Sequence, residues 1–259
     1  METVTSSDGT TIAFERSGEG PALVVVGGSL ADHRFYAPLA GELAERFAVY
    51  NFDRRGRGQS GDTQPYAVER EVEDVGPLVA HAGGPVFLYG HSAGSALALR
   101  AAALGLDVAK LVLADPPFTP RGEDDEAAKA EHAEQAARVR ELNDRGDYEG
   151  SAKFFLKDYG LPDEELEAMF RSPAGEVMLA CARALPYDYA VLGDGLVPEE
   201  LAAKAGVPTV VLADGSMPET ARALAEAMPN ARVQPMEASA HELPPEVLAP
   251  VLKEFFGRP

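Results

Sequence analysis

Short runs of apolar residues, bounded by glycine or polar residues, recur along the chain and predict buried strands. Continuous hydrophobicity is typical of parallel strands whose two faces are both covered by helices. The runs cover residues 22–26, 48–52, 86–89, 110–114, 208–213 and 231–236. Residues 4–5 and 11–14 flank the turn signal Ser7-Asp8-Gly9, which predicts an antiparallel hairpin at one edge of the sheet.

Segments in which apolar residues recur at helical spacing alternate with these runs. They predict helices over residues 36–44, 68–81, 93–104, 219–227 and 245–256. Alternation of strand and helix indicates an α/β protein with a doubly wound, mostly parallel sheet. We assign residues 1–115 and 206–259 to this core.

The stretch between residues 114 and 208 has no convincing strand pattern. It predicts helices over residues 123–145, 148–159, 163–170 and 175–184, interrupted at Pro162, Pro173 and Pro186. Glu134 and Arg138 are spaced to pair on one face of the first of these helices. We interpret residues 116–205 as a helical lid inserted into the core.

Composition narrows the possible partners and the location. The 259 residues include 42 acidic and 23 basic side chains, and the net charge of −19 disfavours nucleic acid as a partner. Cys181 is the only cysteine, so the chain has neither an intrachain disulfide nor a cysteine-based metal site. Residues 1–14 have no leader pattern and no apolar segment approaches ~18 residues, which predicts a cytoplasmic protein without membrane insertion.

The motif GHSAG at residues 90–94 lies between a predicted strand and a predicted helix. This is the context that a G-x-S-x-G nucleophile elbow requires, and it outweighs the frequent chance occurrence of so short a motif. Glycine at both ends permits a tight turn that raises Ser92 Oγ above the carboxyl end of the sheet. The start of the following helix places the backbone N–H of Ala93 where an oxyanion can accept it.

On four segments the sequence resembles the α/β-hydrolase family, in its lid-bearing, esterase-like branch. They are VVVGGS at 24–29, FDRRGRGQS at 52–60, GHSAG at 90–94 and ASAH at 238–241. The first is similar to the oxyanion loop, with Gly27 where many members have histidine, and the second is similar to D-x-R-G-x-G-x-S. The resemblance covers nearly the whole chain and implies an α/β-hydrolase fold that needs no cofactor and no metal.

The resemblance also implies roles for residues around Ser92. Ser29 and Ala93 would donate backbone N–H groups to the oxyanion. Gly28, His91 and Phe118 are candidate substrate-binding residues.

A serine hydroxyl needs a base, and His241 is our candidate among the five histidines. It follows the last predicted strand, at the place of the family's catalytic histidine. His81 and His132 fall in helices and are expected to be solvated, and His33 is an alternative lining residue of the pocket.

The orienting carboxylate departs from the usual family pattern. In LADGSMP at 212–218, Met217 stands where the acid is expected. We favour Asp115, which follows the strand after the elbow helix, over Asp214. An unassisted pair of Ser92 and His241 remains an alternative, as does a purely local turn role for Asp115.

The basic cluster of Arg54, Arg55 and Arg57 is interpreted as bracing its own loop rather than as an anion site. Asp53, just before it, fits a structural ion pair or a turn hydrogen bond better than a catalytic role. Aromatic residues of the predicted lid can wall an apolar pocket, and no cationic clamp for an anionic substrate is evident.

These features predict a cofactor-independent serine hydrolase that cleaves an ester, thioester or lactone through an acyl-enzyme on Ser92. The expected substrate is a small, neutral or weakly polar carbonyl compound. Two alternatives stay open: a carbon–carbon hydrolase, lyase or cyclase of specialised metabolism on the same fold, and a homologue that binds a ligand without catalysis.

Overall fold

The computed structural model describes residues 1–158, 160–213, 218–236 and 244–258. Within these ranges eight strands are present: β1 (Glu2–Thr5), β2 (Thr11–Ser17), β3 (Ala22–Val26), β4 (Ala48–Phe52), β5 (Val86–His91), β6 (Val108–Ala114), β7 (Thr209–Ala213) and β8 (Ala231–Pro235). Six helices belong to the layers around the strands: α1 (His33–Leu43), α2 (Val68–Glu73), α3 (Val75–Ala82), α4 (Ala93–Ala103), α11 (Pro218–Ala227) and α12 (Pro245–Gly257). Six more lie in the chain between β6 and β7: α5 (Asp125–Asp144), α6 (Tyr148–Asp158), α7 (Asp163–Phe170), α8 (Pro173–Cys181), α9 (Leu185–Leu192) and α10 (Glu199–Ala202). Ala182–Ala184 forms one 3-10 turn.

The strands form one sheet in the order β1-β2-β4-β3-β5-β6-β7-β8. β1 and β2 pair antiparallel, and β2 joins β4 antiparallel, whereas all pairs from β4 to β8 are parallel. The predicted edge hairpin and the mostly parallel, doubly wound sheet are therefore confirmed. β3, β5 and β6 lie side by side in the middle of the sheet, so their carboxyl ends meet at one edge.

Two apolar layers cover the sheet. Val24 and Val26 of β3 face a core completed by α3, α4 and α11, whereas Leu23 and Val25 face a second core built from α1 and α12. Because helices bury both faces, every second residue of a central strand is as apolar as its neighbours. This burial explains why the strand bounds 22–26 and 48–52 could be predicted to the residue.

The structure corrects the single helix predicted over residues 68–81. Residues 68–81 form two helices that meet at Asp74, because Pro77 has no N–H to donate to the carbonyl of Glu73, four residues earlier. Pro173 and Pro186 separate successive helices, as predicted, and lie in the first turns of α8 and α9, where a proline loses no helical hydrogen bond.

The residues between β6 and β7 pack around their own apolar cluster, which includes Val139 of α5 and Leu185 of α9. The two ends of this segment are joined by a parallel bridge between Thr119 and Leu196. Arg138 pairs with Glu141 at 2.6 Å rather than with the predicted Glu134, so that expected pair is wrong. Among the helices of the described ranges, none has both the length and the hydropathy to cross a bilayer.

Candidate active site

Ser92 lies between β5 and α4. Its backbone has φ +52° and ψ −127°, a conformation that residues other than glycine rarely adopt. Its backbone N–H donates to the carbonyl of Ala114 at 2.9 Å, and its own carbonyl accepts from the N–H of Ser95 at 2.8 Å. The Ser95 hydroxyl adds a bond of 2.8 Å to the same Ala114 carbonyl. The turn is thus fixed to β6 from both sides, as a strained position must be if it is to persist.

Gly90 and Gly94 are required by close contacts rather than by flexibility. A Cβ atom on Gly90 would lie 2.6 Å from the carbonyl oxygen of Gly94. A Cβ atom on Gly94 would lie 2.5 Å from the carbonyl oxygen of Gly27, in the loop that follows β3. The two glycines therefore let α4 begin directly against β5 and against the loop after β3.

Backbone strain is concentrated at this edge of the sheet. Leu30, Ser92 and Asp115 are the residues other than glycine with positive φ in the described part of the chain, at 54°, 52° and 48°. They follow β3, β5 and β6, which are neighbours in the sheet. Such conformations cost about 1–3 kcal/mol each and are typical of functional sites.

Asp115 lies beside the elbow, at the sheet edge where the sequence placed it. His91 is opposite Ala114 in the pairing of β5 with β6, so Ser92 and Asp115 leave the sheet at the same level. Asp115 is buried, and its charge contributes, after burial, to a raised pKa of Tyr89. The predicted base His241 and the alternative acid Asp214, together with Met217, lie outside the described residues.

A tyrosine that the sequence analysis did not identify connects the loop after β3 to the elbow. Tyr36 Oη accepts a hydrogen bond from the backbone N–H of Gly28 at 2.8 Å and lies 2.9 Å from His91 Nδ1. Burial raises the pKa of Tyr36, so the phenol keeps its proton while it bonds both groups. A Cβ atom on Gly28 would lie 3.1 Å from the Cβ atom of Ser92, so this glycine permits the loop to approach the serine.

A cavity of about 330 Å³ opens beside Ser92. Of the predicted site residues, Ser29, Ser92, Ala93 and Phe118 line it. Gly28 and His91 border the elbow but are not among the described lining residues. Helices α5 and α9, from the segment between β6 and β7, supply much of the remaining lining.

His132 of α5 lines this cavity and is half-buried, so it is less solvated than the sequence suggested. Burial lowers the pKa of His132. The ring packs against Gly195, where a Cβ atom would lie 2.7 Å from His132 Cγ. No local pattern could have identified this histidine, because its burial depends on how α5 packs against the chain after α9.

The arginines brace the structure, as predicted. Arg54 Nε donates to Glu71 Oε1 at 2.8 Å, and Arg54 Nη1 and Arg57 Nη2 donate to Asp188 Oδ1 at 2.8 and 2.7 Å. Burial favours a raised pKa for Asp188, but the charges of Arg57 and Arg54 outweigh it and lower the pKa. Asp188 lies in α9 and is 2% exposed, and it also lines the cavity.

Arg55 makes a separate set of ion pairs away from the cavity. It donates to both carboxylate oxygens of Asp74 at 2.7 Å and to Asp8 Oδ2 at 3.0 Å. The hydrogen bonds of Thr10 and the charge of Arg55 lower the pKa of Asp8 to about 2. These pairs tie the loop after β4 to the edge hairpin and to α3.

One group of described residues has the donor types of a metal site. Asp32, His33 and Asp53 place possible ligand atoms within 4.8 Å of one another. Asp53 Oδ1 accepts from the backbone N–H of His33 and lies 2.8 Å from His33 Nδ1, while Asp32 caps α1 by accepting from the N–H of Arg34. These hydrogen bonds account for the cluster as a structural anchor of α1, which is the role expected for Asp53. His33 is not among the described residues that line the cavity beside Ser92.

Comparison with known proteins gives matches along nearly the whole chain. The model described as "Alpha/beta hydrolase family" matches residues 23–250. An alpha/beta hydrolase from Sphaerobacter thermophilus is 41% identical, with a TM-score of 0.85 and coverage of 98% of this chain and 100% of that chain. A thermophilic esterase from Thermogutta terrifontis, in its malate-bound structure, is 26% identical, with a TM-score of 0.71 and coverage of 99% and 98%.

A curated relative, the N-formylmaleamate deformylase of Pseudomonas putida, is 36% identical over 109 residues. That match covers 40% of this chain and 41% of the relative, so under half of the relative's length is matched.

Proposed function

Because this chain belongs to the alpha/beta hydrolase family, we propose that it is a cofactor-independent serine hydrolase that cleaves an ester, thioester or lactone. The observation that carries the proposal is the strained serine between β5 and α4. Ser92 stands at φ +52° and lines a cavity together with Ala93 and Ser29. A nucleophile elbow has this conformation and this exposure to a pocket.

In the proposed reaction Ser92 Oγ attacks the substrate carbonyl while His241 accepts the hydroxyl proton. The bond to the leaving group then breaks, and the proton passes from His241 to the departing oxygen or sulfur. Water attacks the acyl-enzyme with His241 again as the base, which releases the acid and restores the serine. In this scheme Asp115 orients His241, and the role of His241 rests on the sequence alone.

The developing oxyanion would be stabilised by the backbone N–H groups of Ala93 and Ser29. The position of Ala93 at the first residue of α4 supports its part, since its N–H has no acceptor within the helix. The hydrogen bond from the Gly28 N–H to Tyr36 Oη supports the part of Ser29, because it fixes the loop after β3 against the elbow.

The cavity favours a small substrate, because about 330 Å³ is near the lower end for ligand pockets. We propose that residues 116–205 act as a lid over it, since α5 and α9 supply its outer wall. The net charge of −19 supports a small-molecule substrate rather than nucleic acid.

Labelling with a fluorophosphonate tests the nucleophile without knowledge of the substrate. We expect one adduct, detected by intact mass, on the native chain and none on Ser92→Ala. Ser172→Ala is a suitable control because the Ser172 hydroxyl bonds only backbone groups of Met169 and Gly175 and is not among the described lining residues of the cavity; it should label like the native chain. A folded native chain that forms no adduct, or an adduct that persists in Ser92→Ala, would contradict the proposal.

A further inference from the structure

The loop that follows β3 carries two successive glycines, Gly27 and Gly28, directly before Ser29. Glycine has more backbone conformations available than any other residue, so the sequence of this loop does not fix its shape. Ser29 must nevertheless present its backbone N–H at one point if it is to bind the oxyanion of the proposed reaction. The conformation of the loop must therefore be set by contacts from other parts of the fold.

The peptide group between Gly27 and Gly28 is held at both ends by side chains. The carbonyl of Gly27 accepts a hydrogen bond from Arg54 Nη1 at 3.2 Å. The N–H of Gly28 donates to Tyr36 Oη at 2.8 Å. Because a trans peptide group is planar and its C=O and N–H point in opposite directions, two such bonds restrict its orientation. The N–H of Ser29 belongs to the next peptide group.

The position of Tyr36 Oη is itself well defined. The side chain is 5% exposed, and Oη also lies 2.9 Å from Nδ1 of His91, the residue before Ser92. The rings of Tyr36 and His91 meet edge to face, with their centroids 5.9 Å apart. Tyr36 therefore ties the loop after β3 to the end of β5, where the elbow begins.

Gly27 leaves the room that this tyrosine needs. A Cβ atom at position 27 would lie 2.7 Å from Tyr36 Cε2, which is too close for the ring to stay in place. The ring thus occupies the space that a side chain at position 27 would take. The glycine is what allows the tyrosine hydroxyl to reach the N–H of Gly28.

The two N–H groups of this loop differ in what they can bind. The Gly28 N–H is already bonded to Tyr36, and Gly28 is not among the described residues that line the cavity. Ser29 lines the cavity together with Ser92 and Ala93. The N–H of Ser29 is therefore the donor of this loop that fits an oxyanion formed at Ser92.

We propose that Tyr36 is a positioning residue of the oxyanion hole. Its hydroxyl fixes the peptide group between Gly27 and Gly28, so that the oxyanion is bound by the N–H groups of Ser29 and Ala93 and not by that of Gly28. The inference rests on the proposed function, because it assumes that Ser92 attacks a carbonyl. Donors that are fixed before the reaction stabilise the developing charge without a cost of reorganisation.

Tyr36→Phe tests this role, since it keeps the ring and removes only the hydroxyl. We expect kcat for p-nitrophenyl acetate, normalised to the serine that a fluorophosphonate titrates, to fall by about 10–100-fold. The loss is smaller than the roughly 10²–10³-fold loss of a whole oxyanion donor, because the Ser29 N–H is displaced and not deleted. KM should change by less than about threefold, since the contact acts on the transition state.

Tyr50→Phe is the matched control. Tyr50 is 4% exposed, and among the described residues its side chain has only ring contacts, with Phe14 and His81. It lies in β4 and is not among the described lining residues of the cavity. Its kcat and KM should match those of the native chain.

Inhibition by trifluoroacetone separates positioning from general damage. Ser92 Oγ adds to the ketone carbon, the carbonyl oxygen takes up the electron pair as an oxyanion, and the serine proton passes to the proposed base His241. Because this adduct carries the charge of the transition state, Tyr36→Phe should raise its Ki by about the factor by which kcat/KM falls. A purely structural role would lower the Tm and leave Ki and kcat of the folded protein unchanged.

The native chain supplies a second measurement, which stays valid if Tyr36→Phe does not fold. In isotope-labelled protein, NMR should show that the amide proton signals of Ser29 and Ala93 move downfield when the trifluoroacetone adduct forms. The signal of Gly28 should stay nearly in place, because its N–H remains bonded to Tyr36.

The outcomes decide separately on the reaction and on the tyrosine. If the native chain neither reacts with a fluorophosphonate nor hydrolyses the ester, the proposed function fails and this inference fails with it. If the native chain is active but Tyr36→Phe keeps or raises kcat, only the role of Tyr36 is overturned. A downfield shift of the Gly28 signal in place of the Ser29 signal would overturn it as well.

Discussion

Asp115 is our candidate to replace the orienting carboxylate that the family pattern expects at the position of Met217. It leaves β6 at the level where Ser92 leaves β5, with φ +48°. A buried carboxylate held in a strained conformation beside a candidate nucleophile fits an orienting role better than an ordinary turn. Pro116 follows it and restricts the backbone behind it.

Substitution of the two candidate acids distinguishes them. Asp115→Asn should lower kcat on the best ester by about 10⁴-fold, the loss typical when a triad loses its carboxylate. Asp214→Asn should change kcat by less than about threefold. The check is steady-state kinetics on both folded variants, and full activity of Asp115→Asn would exclude our assignment.

The site was predictable only where its chemistry is local in sequence. Ser92 and Ala93 could be identified because strand, turn and helix are consecutive, and the two glycines mark the close contacts. Tyr36 and His132 could not, since each reaches the site through packing between elements far apart in the chain. Their residue types are common in helices and carry no local signal of function.

At the scale of elements, α2 owes its position to charge as much as to apolar contact. Glu71 of α2 accepts from Arg54 and Arg57 and also from the Tyr66 hydroxyl at 2.7 Å. Both arginines and Glu71 are almost fully buried. Removing one partner of such a network leaves an uncompensated charge in the interior.

We therefore expect Glu71→Gln to lower the free energy of unfolding by about 3–5 kcal/mol. Glu73→Gln, on the same helix, removes an exposed carboxylate and should change it by less than about 0.5 kcal/mol. Urea denaturation followed by circular dichroism measures both. Equal stabilities for the two variants would mean that the buried network contributes little.

The elements themselves followed from the sequence to different degrees. Central strands were predicted to within two residues, because helices on both faces make their apolar runs continuous. The helix over 68–81 was predicted as one element, because its apolar spacing continues across the break before Pro77. The breaks at Pro173 and Pro186 were predicted correctly, because proline is favoured in the first turn of a helix and not inside it.

At the scale of the whole molecule, 42 acidic side chains against 23 basic ones leave a strong excess of negative charge. The buried arginines are paired with buried carboxylates, so the excess negative charge lies on the surface. Repulsion between like charges opposes the compact state and is screened by salt.

Thermal stability should therefore increase with ionic strength. We expect the Tm to rise by a few degrees between 10 and 300 mM NaCl, since ~1 kcal/mol shifts the Tm of a chain of this size by about 2–4 °C. Differential scanning calorimetry measures it, with choline chloride as a second salt and sucrose as an uncharged control. A Tm that falls with both salts would show that surface ion pairs outweigh the repulsion.

The bridge from Asp188 to Arg54 and Arg57 has a consequence for how this chain can be recombined with its relatives. The carboxylate comes from α9, and the guanidinium groups come from the loop after β4. A chimera that exchanges the helices between β6 and β7 must bring an acidic residue to the same point. Otherwise two buried cations share one counter-ion in Glu71, and the hybrid is destabilised before its activity can be assayed. The exchanged helices must therefore come from a relative that keeps the acidic residue, or the arginines and the acidic residue must be replaced together.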